Sequence, residues 1–283
     1  MTAKKILRLL CVIAFAVAPA IAQQPAESAT DSAAFKPSRQ TLPRSLAPHQ
    51  EEYDFNRHVI VSYNTAWAGY AVTGTDFTFV QGSWIVTAVD CTKTPNTDSS
   101  EWVGIDGWSS NTVEQIGTDA DCNGKSPFYW VWYEFYPYGS VVINTVSIAP
   151  GNKFSASVTY DGDENYTVAI KNESTGESFS KKVKFDGAFG SGAPKRNSAE
   201  WIMEMDGNKL SDFGVDPFGE DYTGYLNDIA TDAKVDKGVI HTFGDDVNKS
   251  VTTKTGFKGS PVTAQPSGLS SDGASFTVTW KAE

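Results

Sequence analysis

The chain has 283 residues, of which 40% are apolar and 12% aromatic, and its formal net charge at pH 7 is −11. A chain of this length holds one large domain or two small ones. The excess of acidic residues argues against binding to nucleic acids or to anionic membranes. Beyond the N-terminus, no apolar run is long enough to span a membrane.

The first 22 residues have the pattern of a secretory signal peptide. Three basic residues precede an apolar stretch from Leu9 to Val17, and Ala20-Ile21-Ala22 is a small-x-small cleavage pattern before Gln23. The alternative, an uncleaved anchor, fits less well because the apolar run is short. Cleavage would leave 20 of the 23 basic residues against 34 acidic ones, a net charge of −14. We therefore expect a secreted protein, extracellular or periplasmic.

Residues 23–55 differ in composition from the rest of the chain. They are rich in Pro, Ala, Ser and Gln and lack alternating apolar positions, so they cannot form much core. Between Phe35 and Gln50 there are three basic residues and no acidic one. Two interpretations stay open, a propeptide laid over an acidic enzyme or a disordered leader. Residues 56–283 are expected to form one domain.

From Val59 onward the pattern is strand after strand. Apolar residues alternate with polar ones from Phe154 to Tyr160 and again from Tyr166 to Ile170, with a turn predicted at 161–163 between them. Longer apolar runs at 84–89, 128–136 and 140–148 are typical of strands buried on both sides. No amphipathic helix longer than about two turns is evident. The sequence predicts an all-β fold, an antiparallel β-sandwich of two packed sheets.

The cysteines and histidines bear on stabilisation and on metal binding. Cys11 lies in the signal, which leaves Cys91 and Cys122 as an even pair in an oxidising compartment. We expect them to form a disulfide. The three histidines have no ligand-like spacing, so no metal and no other cofactor is predicted.

Common hydrolase signatures are missing from the sequence. It contains no Gly-x-Ser-x-Gly elbow, no HExxH motif and no Asp-Thr/Ser-Gly pair. If the chain is a hydrolase, carboxylates and amides must carry the chemistry. The aromatic-rich segments that contain such residues are Trp67-Ala68-Gly69, Trp102-Val103-Gly104-Ile105-Asp106-Gly107, Glu114-Gln115-Ile116-Gly117, Tyr133-Glu134-Phe135-Tyr136-Pro137 and Ala199-Glu200-Trp201-Ile202.

In this order, these segments resemble the eqolisin-type glutamic peptidases over roughly Tyr63 to Phe213. The resemblance implies a sandwich of two antiparallel sheets, a catalytic Gln–Glu dyad and endopeptidase activity at acidic pH. Carried onto this chain, the dyad is Gln115 and Glu200. Positions that line or support the cleft are matched by Trp67, Trp102, Asp106, Gly107 and Glu134.

The alternation of side chains along a strand agrees with these roles. Gln115 shares one strand face with Val113 and Gly117, and Glu200 shares one with Ser198 and Ile202. Glu200 can take a proton from water and return it to the leaving amine, and the Gln115 amide can stabilise the oxyanion. The expected substrates are proteins or peptides, and the expected state is a monomer.

Two other functions remain open at this stage. The tryptophans could stack on sugar rings in a carbohydrate-binding sandwich, or they could be plain core. Paired carboxylates such as Glu134 and Glu200 could serve a glycosidase. Each alternative predicts a different arrangement, namely exposed coplanar tryptophans or two carboxyls facing each other across a cleft.

Overall fold

Seventeen β-strands and two short 3-10 segments make up the described part of a computed structural model, which comprises residues 43–187, 190–207, 209–219, 229–232 and 238–282. The 3-10 segments are Arg44–Leu46 and Ile240–Asp246. The strands are β1 (His49–Asp54), β2 (Val59–Asn64), β3 (Trp67–Thr73), β4 (Phe77–Ile85), β5 (Ser100–Ile105), β6 (Val113–Asn123), β7 (Ser126–Tyr136), β8 (Val141–Val142), β9 (Lys153–Gly162), β10 (Asn165–Asn172), β11 (Ser178–Lys184), β12 (Ser198–Glu204), β13 (Val215–Phe218), β14 (Ile229–Asp232), β15 (Val247–Thr253), β16 (Val262–Pro266) and β17 (Phe276–Trp280).

The strands form two layers that share one hydrogen-bonded network. The first layer runs β1-β2-β15-β3-β12-β5-β6-β7-β8, in which only β2 and β15 pair in parallel. The second runs β11-β10-β9-β4, continues through β13 to β17 and β16, and carries β14 beside β4. The β15–β16 pairing joins the layers at one edge.

The main core lies between the two layers. Val103, Ile116 and Trp201 of the first layer are fully buried together with Val158 and Phe218 of the second. A separate apolar cluster lies on the other surface of the first layer and includes Trp67, Trp102 and Trp132. The predicted antiparallel β-sandwich is confirmed. Because the first layer is buried on both surfaces, its central strands β5 and β12 are buried at every position.

The predicted strands are present where apolar and polar residues alternate regularly, and a prediction fails where buried apolar side chains belong to a loop. The predicted strands at 154–160, 166–170 and 128–136 are present as β9, β10 and β7. The turn between β9 and β10 centres on Asp163 and Glu164, both at positive φ, one residue later than predicted. The run at 140–148 holds only the two-residue β8, since Ile143 and Val146 are buried from a loop. Residues 206–275, which are irregular in sequence, contain β13 to β16.

The predicted disulfide is confirmed. Cys91 and Cys122 are bonded, with Cα atoms 5.3 Å apart and 31 residues of chain separation. The predicted signal peptide, residues 1–22, lies outside the described residues. Where the structure is described, no helix has the length and hydrophobicity needed to cross a membrane.

Candidate active site

A row of side chains crosses four adjacent strands of the first layer. Glu200 of β12 pairs with Gly104 of β5, which pairs with Gln115 of β6, which pairs with Glu134 of β7. Residues directly opposite each other in antiparallel strands project from the same sheet surface. We call these four residues the central row. Glu200 and Gln115 are separated by one intervening strand, about 10 Å between Cα atoms from the usual strand spacing.

The intervening residue of the central row has no side chain. A Cβ added at Gly104 would lie 3.2 Å from the Cβ of Gln115 and 3.0 Å from the ring of Trp102. Glycine in the interior of a strand weakens it and often marks a place where another group must approach closely. Gly104 therefore lets the Trp102 ring and the Gln115 side chain approach the strand closely between Glu200 and Gln115.

The amide of Gln115 is oriented by the last member of the row. Its Nε2 donates a hydrogen bond of 2.9 Å to Oε2 of Glu134, and both side chains are fully buried. Glu134 thus contacts Gln115 directly, as expected of a supporting residue. A carboxylate acceptor makes such a bond shorter and stronger than a neutral one.

Glu200 is fully buried, and among the described residues neither of its carboxyl oxygens has a hydrogen-bond partner of normal geometry. Burial raises its pKa well above the ordinary range, and the negative charge of Asp106 adds to this effect. The Ser198 hydroxyl, the Arg44 charge and the Trp108 N–H act in the opposite direction. In this closed state the carboxyl therefore holds its proton to higher pH than an exposed glutamate does.

Two tryptophans lie beside the central row. The rings of Trp67 and Trp102 pack edge to face with centroids 4.9 Å apart. Trp102 Nε1 donates to Glu204 Oε2 at 2.8 Å, whereas the buried Nε1 of Trp67 has no acceptor in the described part of the chain. Buried donors without a partner are rare in folded proteins, and they concentrate at functional sites. Both side chains are wholly buried, which differs from the exposed platform expected of a sugar-binding module.

Asp106 and Gly107 organise the loop at the end of β5. The Asp106 carboxylate accepts backbone N–H bonds from Lys195 and Arg196, each 2.8 Å, and from Asn197 at 3.1 Å. Its oxygens therefore hold the segment that leads into β12, the strand of Glu200. Gly107 has a φ of +106°, and a Cβ there would lie 2.6 Å from Val113. These contacts fix the loop after β5 and the segment before β12.

A segment of the predicted leader packs at one end of the row. The Arg44 guanidinium lies 3.9 Å from the ring centroid of Trp108 and forms an ion pair with Glu51. The Ser45 N–H donates to Gly107 O at 3.1 Å, and its hydroxyl donates to Ser110 O. Arg44 is only 3% exposed, and burial lowers its pKa to about 10, so it is charged throughout the acidic range.

A second buried carboxyl lies behind the row. Glu114 projects from β6 on the surface opposite Gln115 and is fully buried. Burial raises its pKa well above the ordinary range, and the charges of Asp106 and Glu200 raise it further. Glu114, Asp106 and Glu200 therefore form an electrostatically coupled set.

Sequence reasoning did not single out Gly104, Trp108, Arg44 or Glu204. Gly104 stands inside a strand motif, and a glycine at such a position is itself a signal. The other three residues are far from their partners along the chain. Arg44 meets Trp108, Glu204 meets Trp102, and only the folded sheet brings these pairs together.

Comparison with known proteins agrees with the motifs and the fold. A sequence profile of the peptidase A4 family matches residues 65–224, more than half of the chain. Scytalidopepsin B of Scytalidium lignicola is 31% identical over 139 residues, which are 49% of this chain and 50% of that protein. Aspergillopepsin-2 of Aspergillus niger is 26% identical over 165 residues, 50% of this chain and 56% of that protein. The matched region thus spans about half the length of these relatives.

Solved structures show the same fold. A scytalido-glutamic peptidase with a transition state analog inhibitor superposes with a TM-score of 0.61 at 21% identity, covering 77% of this chain and 98% of that one. SCP-B, a member of the eqolisin family in complex with the tripeptide Ala-Ile-His, gives a TM-score of 0.58 at 21% identity over the same shares of the two chains. The resemblance inferred from the ordered motifs is confirmed, and the chain belongs to the peptidase A4 family, the eqolisins.

Proposed function

We propose that this protein is a secreted endopeptidase that hydrolyses peptide bonds at acidic pH through Glu200 and Gln115. The observation that carries the proposal is the register that puts these two residues on either side of Gly104 on one sheet surface. The names of the relatives and of the structural neighbours support peptidase activity on protein or peptide substrates.

In the proposed reaction, Glu200 acts on a water held above Gly104. The ionised carboxylate takes a proton as the water oxygen attacks the scissile carbonyl carbon, and it then delivers that proton to the leaving amine nitrogen. General acid–base catalysis of this kind contributes roughly 10²–10⁴-fold. Neither Glu200 oxygen has a hydrogen-bond partner of normal geometry among the described residues, which is consistent with this role, since water and substrate would supply such partners.

Gln115 stabilises the charge that develops on the carbonyl oxygen. Its amide nitrogen carries two N–H bonds, of which one is donated to Glu134. We assign the Gln115 amide nitrogen as the donor to the oxyanion in the substrate complex. A single donor of this type is worth about 10²–10³-fold in kcat. We assign the buried Trp67 Nε1–H to the peptide backbone of the substrate, because it has no acceptor within the described residues.

Residues 23–55 act in this proposal as a propeptide that keeps the site closed. Arg44 and Ser45 contact Trp108 and Gly107, next to Glu200. While the site is closed, burial holds the Glu200 carboxyl protonated and therefore unable to act as a base. Removal of this segment would admit water, lower the pKa of Glu200 and allow ionisation in the acidic range.

The proposal is tested by proteolysis of a denatured protein substrate from about pH 2 to pH 6, the range in which a carboxylate base ionises. We expect Glu200→Gln to lose roughly 10²–10⁴-fold in kcat and Gln115→Ala about 10²–10³-fold. The matched controls are Glu164→Gln and Gln265→Ala, two exposed positions outside the row, which should retain full activity. Wild-type rates in either row variant, or inhibition by a metal chelator, would refute the scheme.

A further inference from the structure

A cavity lies on the surface of the first layer that is opposite to the central row. Ala71 of β3 pairs with Glu200, so the neighbouring Tyr70, which pairs with Lys249 of β15, projects to the other side. Tyr70 and Lys249 line a cavity of about 400 Å³ together with Arg57, His58, His241 and Leu269. This volume is within the range that holds a small organic ligand.

Lys249 brings a buried positive charge to this cavity. The residue is only 7% exposed, and its Nζ donates to Ser267 O at 2.9 Å. Ser267 O also accepts the Tyr70 hydroxyl at 2.8 Å, so both of its lone pairs are used. Over the described residues, no carboxylate lies within ion-pair distance of Lys249. An ammonium group has three N–H donors, and a buried one without a counter-ion is costly.

The walls of the cavity combine polar side chains with apolar surface. Arg57, His58 and His241 are exposed residues at its rim, and Val59 and Leu269 add apolar surface beside the Tyr70 ring. Asp245 also lines the cavity, where it accepts a hydrogen bond from Tyr53 at 3.4 Å. Arg57 also pairs with Asp54, with 3.5 Å between Nη1 and Oδ2, so Lys249 is the lining cation that has no carboxylate partner among the described residues.

We propose that this cavity binds a small organic carboxylate, with its ionised head on Lys249 and Arg57 and its apolar body against Tyr70 and Leu269. Burial lowers the pKa of Lys249 to about 8, so the head group would meet a charged ammonium at pH 6. Two sources share this chemistry, the C-terminal carboxylate of a peptide and a free aliphatic acid. The pocket is separate from the central row and does not depend on the proposed peptidase mechanism.

The test is isothermal titration calorimetry of the folded protein at about pH 6, where carboxylic acids are ionised. The probes are N-acetyl-leucine for a peptide C-terminus, hexanoate for an aliphatic acid, and N-acetyl-leucinamide as the uncharged control. We expect at least one of the acids to bind at least ~10-fold more tightly than the amide, since a desolvated ion pair is worth more than ~1.4 kcal/mol. The acid that binds more tightly identifies the source of the carboxylate.

Lys249→Met should weaken binding of the acid by at least ~10-fold, whereas Lys181→Met, an exposed lysine of β11, should leave it unchanged. Arg57→Gln should weaken binding of the acid by about 3-fold. Arg57 is exposed, so its replacement leaves no defect in the core, and this variant tests the proposal even if Lys249→Met fails to fold. Equal affinity for acid and amide, or full affinity in both Lys249→Met and Arg57→Gln, would overturn the proposal. Proteolytic activity should be the same in all three variants.

Discussion

The Gln115 amide donates to the Glu134 carboxylate at 2.9 Å, and the two residues are direct partners across β6 and β7. Each of the two side chains is fully buried, so the bond is shielded from water. An amide that is free to rotate would present its oxygen as often as its nitrogen to a developing oxyanion. The pairing with Glu134 therefore selects the orientation in which Gln115 can be a donor.

Replacement of Glu134 should lower kcat with little change in KM. Loss of one charge-assisted hydrogen bond is worth about 1.5–3 kcal/mol, or roughly 10- to 10²-fold in rate. Glu134→Leu should show the full effect, and Glu134→Gln, which keeps an acceptor oxygen, should recover part of it. Steady-state kinetics on a peptide substrate measure this difference. Identical kcat in Glu134→Leu and the parent would show that the orientation of Gln115 is set elsewhere.

A methyl group at Gly104 should abolish most activity without unfolding the protein. The added Cβ would lie 3.2 Å from the Gln115 Cβ and 3.0 Å from the Trp102 ring, so both side chains would have to shift. Misplacement of reacting groups by ~1 Å can cost about 10²-fold, and we expect a loss of at least that size. The matched control is Gly268→Ala, because nothing lies within 4 Å of a Cβ there.

Both variants are compared by circular dichroism and by proteolysis. If Gly104→Ala were fully active with a normal spectrum, the water could not lie above Gly104.

Stability should fall as the pH rises from acidic to neutral. Burial raises the folded-state pKa of Glu114 well above its ordinary value, so between the unfolded pKa of about 4.3 and the raised value the folded state binds more protons than the unfolded state. The stabilisation is complete below the unfolded pKa and is lost as the pH rises through the folded one. Glu200 acts in the same direction.

Glu114→Gln removes the titrating carboxyl of Glu114 and keeps the shape of the side chain. Its melting temperature should vary less between about pH 4 and pH 7, by at least ~3 °C, the shift that roughly 1 kcal/mol produces in a domain of this size. Thermal unfolding followed by circular dichroism measures the two profiles. A steeper profile in the variant, or a parent that is most stable at neutral pH, would contradict the argument.

Removal of the Arg44 side chain should weaken closure of the site. The guanidinium contacts the Trp108 ring and pairs with Glu51, and a desolvated cation–π contact contributes about 2 kcal/mol. We expect Arg44→Ala, in a chain that retains residues 23–55, to show about 10-fold higher initial activity than the parent before any processing. Lys258→Ala removes an ion pair to Glu52, also on β1, and serves as the control.

Activity is measured at short times with the N-terminus monitored by mass spectrometry. Equal initial rates for the parent, Arg44→Ala and a chain that starts at residue 56 would remove the inhibitory role of the segment.

The sequence by itself determined the class of fold and the two faces of each central strand. Regular alternation from Phe154 to Ile170 predicts β9 and β10, because successive side chains in a strand point to opposite surfaces. The ordered motifs around Trp102, Gln115 and Glu200 identify the family. The two cysteines outside the predicted signal peptide predict the disulfide, since pairing is expected in an oxidising compartment.

Only the tertiary structure decided which residues meet. Glu200 follows Gln115 by 85 positions, and the register through Gly104 depends on β12 inserting between β3 and β5, which no local pattern encodes. The contacts of Arg44 with Trp108 and of Lys249 with the Ser267 carbonyl likewise join segments distant in the chain. Burial, and with it the raised pKa of Glu200, is a property of the whole packed fold, because it depends on which groups exclude water from the carboxyl.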